Sequence, residues 1–272
     1  MALASPPIAV AELRRLLERL ESHGPAEAGS LSFGIPEMDT HLPGGGLERG
    51  HLHEIIEGGP ASSYAALAAL FTAGILARLP GPVLWCLRGR DLFAPALARI
   101  GLHPDRVIYC ETWKDRDVLP AMEEGLRCKG LAGVVGEVTK LSLTASRRLQ
   151  LCAGESGVTA LLIRRWRNFN EKSLTEEPSA AATRWRVTPH PSPDEGFDGL
   201  QRQHWKIELL RARGGEPRSW IVEACDATGH LALPAEVALG QDTADFVRRS
   251  AAGKTPRHRD YAGSAPYDRK RR

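Results

Sequence analysis

The sequence lacks the usual marks of a secreted, membrane-spanning or zinc-binding protein. Its five cysteines form no C-x-x-C pair and are odd in number, which argues against a zinc site or a disulfide framework and fits a reducing cytosol. The longest apolar run, Tyr64–Ala77, is too short to span a membrane. No charged segment followed by an apolar one opens the chain, so we expect no signal peptide and a cytoplasmic protein.

Most of the chain also carries little net charge, and the excess of basic residues lies at its C-terminal end. Residues 241–272 hold nine Lys/Arg and four Asp, a net +5, whereas the whole chain carries +3. Because this segment has few apolar residues, we expect it to be a disordered tail. Its last residues, Arg269, Lys270, Arg271 and Arg272, suit non-specific contact with DNA. An acidic protein surface and a purely solubilising role fit as well.

Short apolar runs alternate with helical stretches through the middle of the chain. The predicted strands are residues 51–56, 82–87, 107–110, 132–138 and 158–163. The predicted helices between them are residues 64–79, 92–100, 118–129 and 143–155. Because apolar strands separated by helices are typical of a parallel sheet covered on both faces, the pattern predicts an α/β fold.

The pattern changes after residue 164. Several prolines among residues 168–200 predict a long loop with one short strand near residues 184–187. Two apolar runs, residues 205–211 and 219–224, flank the turn Gly214-Gly215-Glu216. These runs predict an antiparallel hairpin at one edge of the mainly parallel sheet.

An amphipathic helix is predicted before the core, over residues 8–22. Its apolar stripe consists of Leu13, Leu16, Leu17 and Leu20. The stripe lies outside the predicted core, so it must dock on its own domain or on a partner protein. We therefore divide the chain into an N-terminal helix and linker (1–29), a core domain (30–240) and the basic tail (241–272).

The core domain opens with a segment, residues 32–55, that resembles the lead-in to a RecA-type ATPase core. A phosphate loop of the form G-x-x-x-x-G-K-[ST] should follow, in which backbone N–H groups cradle phosphates and the lysine reaches the β- and γ-phosphates. Residues 59–66 keep Gly59, but Tyr64, Ala65 and Ala66 replace the second glycine, the lysine and the metal-binding hydroxyl. The loop is degenerate, and we expect no nucleotide cofactor and no bound metal.

Two further acidic residues of a RecA-type site are also missing. The position of the water-activating acid falls on Arg90, and that of the magnesium-orienting acid falls on Gly136, with Glu137 one residue away. Because phosphoryl transfer needs lysine, metal and water-positioning groups together, we predict no ATP hydrolysis.

This combination of a degenerate RecA-like core, an N-terminal helix and a basic tail resembles the ImuA family, the RecA-like accessory proteins of bacterial mutagenesis cassettes. Residues 205–223, WKIELLRARGGEPRSWIVE, resemble the hairpin of that family. The resemblance implies a non-catalytic adaptor in SOS-induced, error-prone translesion DNA synthesis. It also implies two partners, the inactive Y-family polymerase homologue ImuB and a DnaE-type polymerase, with RecA as a further candidate.

Two other functions are open at this point. An active RecA-like ATPase acting on DNA would need a replacement lysine, for which Lys114, Lys129 and Lys140 are candidates, although none lies in a glycine-rich turn. A SulA-like inhibitor of cell division would share a related core, but the long loop and basic tail argue against it.

Three arginines and a tryptophan lie where the last predicted parallel strand ends, at Arg164, Arg165, Trp166 and Arg167. Such residues suit phosphate contact and base stacking, so they are candidate DNA contacts. The alternative is a solvated strand end with Trp166 covering the core.

His51 and His53 lie on a predicted strand, but two histidines are too few for a metal site, so we expect hydrogen-bonded or solvent-facing rings.

Overall fold

The computed structural model describes residues 13, 29–59, 61–89, 91–112, 114–166, 175–192 and 202–234. The strands within these residues are β1 (Ser30–Leu31), β2 (Leu47–Glu48), β3 (Leu52–Glu57), β4 (Val83–Leu87), β5 (Val107–Glu111), β6 (Gly133–Val138), β7 (Thr159–Arg164), β8 (Thr183–His190), β9 (His204–Ala212) and β10 (Arg218–Glu223). The α-helices are α1 (Pro36–Asp39), α2 (Ala61–Ala77), α3 (Ala94–Ala98), α4 (Asp115–Arg127) and α5 (Leu143–Ser156). Short 3₁₀ turns occupy Pro43–Gly45 and Pro104–Arg106.

Eight of the strands in this part of the chain form one sheet, in the order β10-β9-β8-β3-β7-β6-β4-β5. The six strands from β8 to β5 are parallel, whereas β9 and β10 form an antiparallel hairpin at the edge. The predicted α/β fold, with a mainly parallel sheet and an edge hairpin, is confirmed.

Strand β8 is longer and more central than the sequence indicated. The prolines near residue 190 predicted a loop with a short strand, but β8 runs for eight residues between β3 and β9. Pro189 is accommodated near the strand end, opposite Trp205. Thr183, Trp185 and Val187 favour a strand, and β8 pairs with β3 and β9, so it connects the parallel strands to the hairpin.

The sheet has a separate hydrophobic core on each face. Helix α2 covers one face, where Phe71 packs against Phe33 and Trp185 with ring centroids 6.0 and 5.9 Å apart. Helices α4 and α5 cover the other face, where Met122 and Leu149 are fully buried. The apolar run Tyr64–Ala77 is therefore a core helix. Among the described residues, no helix is long and apolar enough to cross a membrane.

Leu13 is the one member of the N-terminal stripe that the structure describes. It is helical, fully buried, and belongs to the same core cluster as Leu52 and Leu84. At this position the stripe docks on its own domain. Leu16, Leu17 and Leu20 lie outside the described residues, as does the predicted tail, so the proposed domain boundaries stay predictions.

The lead-in segment is fixed by one carboxylate before it enters β3. Asp39 accepts hydrogen bonds from the Phe33 N–H (2.6 Å), the Gly34 N–H (3.0 Å) and the Ser32 hydroxyl (2.6 Å). These bonds close the turn before α1. A Cβ on Gly46 would lie 2.5 Å from the Leu31 carbonyl oxygen, so only glycine allows β1 and β2 to approach this closely.

Candidate functional site: the carboxyl edge of the sheet

The carboxyl ends of the parallel strands meet at one edge of the sheet, the position where open α/β sheets bind their ligands. Strand β3 ends there at Glu57, followed by Gly58, Gly59 and then helix α2. The structure thus places the degenerate phosphate loop where a nucleotide-binding loop belongs.

The ring of Tyr64 packs directly against this loop. A Cβ built on Gly59 would lie 2.6 Å from Cε2 of Tyr64, and one on Gly58 would lie 3.3 Å from its Cδ1. Ala65 is half-buried and Ala66 is exposed, and neither offers a charge or a hydroxyl group. A phenol ring therefore covers backbone that a phosphate loop must leave free for its ligand.

Arg165 lies at the centre of an ion-pair cluster beside this loop. Its Nη1 donates to Oε1 of Glu57 at 2.9 Å, and its Nε donates to Oε2 of Glu137 at 2.9 Å. Its Nη2 donates to the same oxygen of Glu137 and lies 3.5 Å from Oδ1 of Asp91. We call Glu57, Asp91, Glu137 and Arg165 the carboxyl-edge cluster.

Two further donors complete the carboxyl-edge cluster. The Trp166 N–H donates to Oε2 of Glu57 at 2.7 Å, and the indole N–H of Trp85 donates to Oε1 of Glu137 at 2.7 Å. All four carboxylate oxygens of Glu57 and Glu137 therefore accept hydrogen bonds from the protein itself. A buried polar network of this kind stabilises a structure when each member is satisfied.

The charge of the carboxyl-edge cluster is negative, because three carboxylates share one guanidinium group. Burial raises the pKa of Glu57 and of Glu137, and Arg165 opposes this shift only in part. Burial lowers the pKa of Arg165, but the carboxylates of Glu137 and Glu57 raise it more, so it stays protonated.

The position aligned with the magnesium-orienting acid faces away from this cluster. A Cβ on Gly136 would lie 2.0 Å from Sδ of Met122 on helix α4, on the opposite face of the sheet. Glu137 instead faces Trp85 and Arg165. Because side chains alternate along β6, the carboxylate of Glu137 faces the carboxyl-edge cluster, whereas Gly136 faces helix α4.

Arg164, although adjacent to Arg165, lies on the opposite face of the sheet in a second ion-pair cluster. Its Nη2 lies 2.6 Å from Oε2 of Glu177, and its Nη1 lies 3.8 Å from Oε2 of Glu54. The Nε of Arg184 donates to Glu54 at 2.9 Å, and its two Nη atoms donate to the carbonyl oxygens of Thr175 and Glu177. We call Glu54, Arg164, Glu177 and Arg184 the inner cluster.

These contacts give two of the candidate DNA-contact residues partners within the protein, and the DNA contacts themselves stay a prediction. The side chain of Arg164 is fully buried and that of Arg165 is 11% exposed, and both guanidinium groups bind carboxylates of the protein. Neither group is presented to a nucleic acid in this structure. Trp166 is half-buried with its N–H bound to Glu57. Arg167 and the tail residues Arg269, Lys270, Arg271 and Arg272 lie outside the described residues.

His53 is a buried neutral histidine. Its Nε2 donates to the Glu48 carbonyl oxygen at 2.7 Å, so its Nδ1 accepts from the Thr183 hydroxyl at 2.8 Å. Burial lowers the pKa of His53 to about 4. The expectation of a hydrogen-bonded ring is confirmed for His53, and His51 likewise contacts a backbone carbonyl, that of Arg49.

Sequence reasoning missed the pairing of Arg165 with Glu57 and Glu137. The available signal was the position of these residues, since each lies at or near the carboxyl end of a predicted apolar strand. The order of strands in the sheet, which brings β3, β7 and β6 side by side, could not be obtained from that signal.

The fold and the site together define an α/β protein with a mainly parallel sheet, whose degenerate phosphate loop has Ala65 in place of the lysine. No protein-family model matches the chain. The chain is 38% identical over 208 residues to Protein ImuA of Caulobacter vibrioides strain NA1000 / CB15N, a match that covers 74% of this chain and 85% of the relative. Protein ImuA of strain ATCC 19089 / CIP 103742 / CB 15 matches equally. The chain belongs to the ImuA family.

Proposed function

We propose that this protein is a non-catalytic RecA-like adaptor in SOS-induced, error-prone translesion DNA synthesis. It would act in the cytoplasm and dock with an ImuB-like inactive polymerase homologue and a DnaE-type polymerase, with RecA as a further candidate partner. Membership of the ImuA family supports the cellular role.

One observation supports the non-catalytic part of the proposal above the others. The ring of Tyr64 packs on Gly58 and Gly59 of the degenerate loop, and the carboxyl-edge cluster lies beside that loop. Ala65 stands at the lysine position of the loop, and the side chains of Lys114, Lys129 and Lys140, which lie outside the loop, are exposed. Phosphoryl transfer requires a phosphate-binding lysine and a metal-binding hydroxyl, and Ala65 and Ala66 stand at those two loop positions.

The first experiment asks whether the protein assembles without nucleotide. Purified protein, mixed with the ImuB-like homologue encoded in the same genome, should co-elute in size-exclusion chromatography equally well with and without ATP and Mg²⁺. A complex that forms only with ATP would contradict the proposed non-catalytic role. The absence of any complex would contradict the proposed ImuB-like partner.

The second experiment locates the docking surface. Because Leu13 is buried in its own domain, Leu16→Glu with Leu17→Glu distinguishes the two roles of the N-terminal stripe. A loss of the complex at an unchanged melting temperature would assign the stripe to the partner. A large fall in melting temperature would assign it to the core, and removal of residues 241–272 would then test the basic tail.

The two alternatives have distinct outcomes. DNA-stimulated ATP turnover would support the active RecA-like ATPase. Filamentation of cells on expression, relieved by excess division GTPase, would support the SulA-like inhibitor. Neither outcome is expected of an adaptor.

A further inference from the structure

Arg165 connects three separate segments at the carboxyl edge of the sheet. Its guanidinium group contacts Glu57 at the end of β3, Glu137 near the end of β6, and Asp91 in the segment after β4. Its own backbone N–H also donates to the Val138 carbonyl oxygen at 2.9 Å. One side chain therefore bridges segments that are 80 residues apart in the chain, from 57 to 137.

The two buried carboxylates of Glu57 and Glu137 converge on one point and require a cation there, and the exposed Asp91 adds a third carboxylate 3.5 Å from Nη2 of Arg165. The side chains of Glu57 and Glu137 are 0% and 4% exposed, so water cannot compensate their charge. In phosphoryl-transfer proteins a divalent cation bridges the phosphates and the acidic residues at this edge, and the segments around it change state when the nucleotide changes. Here the bridging cation is part of the polypeptide.

We propose that Arg165 is a built-in cation that replaces a bound divalent ion and holds the ends of β3, β6 and the segment after β4 in one nucleotide-independent state. This inference deepens the proposed function, on whose lack of nucleotide chemistry it rests. It explains why the core keeps acidic residues at its ligand edge although the loop beside them has lost its lysine. A docking surface built on this edge would be permanently in its binding-competent form.

The test replaces Arg165 by methionine, which keeps most of the side-chain length and removes the charge. We expect the melting temperature of Arg165→Met to fall by about 10 °C, because buried carboxylates lose their counter-ion. We expect 10 mM CaCl₂, compared with KCl at equal ionic strength, to restore about 4 °C, because Ca²⁺ accepts irregular carboxylate sites. Wild type should not respond to CaCl₂.

Arg164→Met is the matched control. It removes a buried guanidinium one residue away, but Glu54 keeps Arg184 at 2.9 Å and Glu177 is 36% exposed. This variant should lose stability without responding to CaCl₂. An equal response of both variants, or a loss below 2 °C in Arg165→Met, would overturn the proposal.

A charge-neutral variant keeps the test decisive if Arg165→Met does not fold. Adding Glu57→Gln and Glu137→Gln removes the charges that Arg165 compensates, so the triple variant should be recovered folded and should not respond to CaCl₂. A triple variant as impaired as the single one would contradict the counter-ion role. Binding of ATP to wild type would refute the proposed function and leave these stability differences unchanged.

Discussion

Arg164 and Arg165 are neighbours in the chain, yet they belong to two buried ion-pair clusters on opposite faces of the sheet. The inner cluster has two guanidinium groups for two carboxylates, and Arg184 also binds the Thr175 and Glu177 carbonyl oxygens. It therefore fixes the segment before β8 against the sheet.

The carboxyl-edge cluster has the opposite balance, with three carboxylates for one guanidinium group. It lies beside the degenerate loop, at the ligand edge of the fold. Similar buried ion pairs thus serve different purposes in one protein, and the ratio of carboxylates to guanidinium groups distinguishes them. A balanced cluster away from the ligand edge fixes a chain segment, whereas an acidic excess at that edge has the chemistry of a metal site with the metal replaced.

The largest expected effect comes from breaking the inner cluster. Glu54→Ala leaves Arg164 and Arg184 buried without their shared carboxylate, so we expect a loss of about 4 kcal/mol in the free energy of unfolding. Urea unfolding followed by circular dichroism measures this loss. Arg116→Ala, which removes an exposed pair with Asp117 at 3.7 Å, is the control and should change stability by less than about 0.5 kcal/mol. A similar loss in both variants would remove the distinction between buried and exposed pairs.

The second effect concerns the two faces of β6. Restoring an acid at the aligned position, Gly136→Asp, should cost about 3 kcal/mol, because the new side chain meets Met122 on the packing face and buries a charge. In urea unfolding, the double variant with Met122→Ala should lose less than the sum of the two single losses. A stable Gly136→Asp protein would show that this face tolerates the acid.

The third effect is the pH dependence of stability that comes from His53, which is opposite in sign to that from Glu57 and Glu137. The pKa of His53 is lowered to about 4 from 6.5, so the unfolded state binds its proton first. The contribution of neutral His53 to the free energy of unfolding is fully present above pH 6.5 and is lost as the pH falls toward 4. The loss between pH 7 and pH 5 is about 2 kcal/mol.

A difference measurement isolates this contribution. The raised pKa values of Glu57 and Glu137 act in the opposite direction, because the folded state takes up their protons first on acidification. Unfolding of wild type and His53→Gln should be compared at pH 7 and 5, where the variant should lose less. Identical losses in the two proteins would refute this assignment.

The smallest expected effect is on catalysis, where we expect none. Tyr64→Gly, Ala65→Lys and Ala66→Thr together restore the loop motif, but the negative carboxyl-edge cluster stays beside it and Gly136 stays where the aligned acid should be. Steady-state phosphate release with ATP, Mg²⁺ and single-stranded DNA should remain at background. Robust turnover would show that the rest of a catalytic site survives.

The fold could be predicted from the sequence because its strands are short and apolar and its helices lie between them. Strand β7, predicted at residues 158–163, spans Thr159–Arg164, and helix α5, predicted at 143–155, spans Leu143–Ser156. Strand β8 was underestimated because the prolines near its end predict a loop, although Pro189 lies beyond the part of β8 that pairs with β3.

The site could be predicted only in part. The loss of the loop residues at positions 64–66 is readable from spacing, since the motif has a fixed length. The roles of Arg164 and Arg165 cannot be read from spacing, because adjacent side chains on a strand point to opposite faces. The partners of these two residues also come from distant segments of the chain. A basic run next to an aromatic residue predicts nucleic-acid binding when only the sequence is considered. The buried carboxylates that pair with these arginines become visible only in the fold.

Whether the wild-type protein binds ATP tests the proposed non-catalytic role most directly. Isothermal titration of ATP with Mg²⁺ into the purified full-length protein, with and without single-stranded DNA, should give no saturable heat, and no phosphate should be released. Saturable binding with DNA-stimulated turnover, lost on substitution of residues 58–66, would contradict the account.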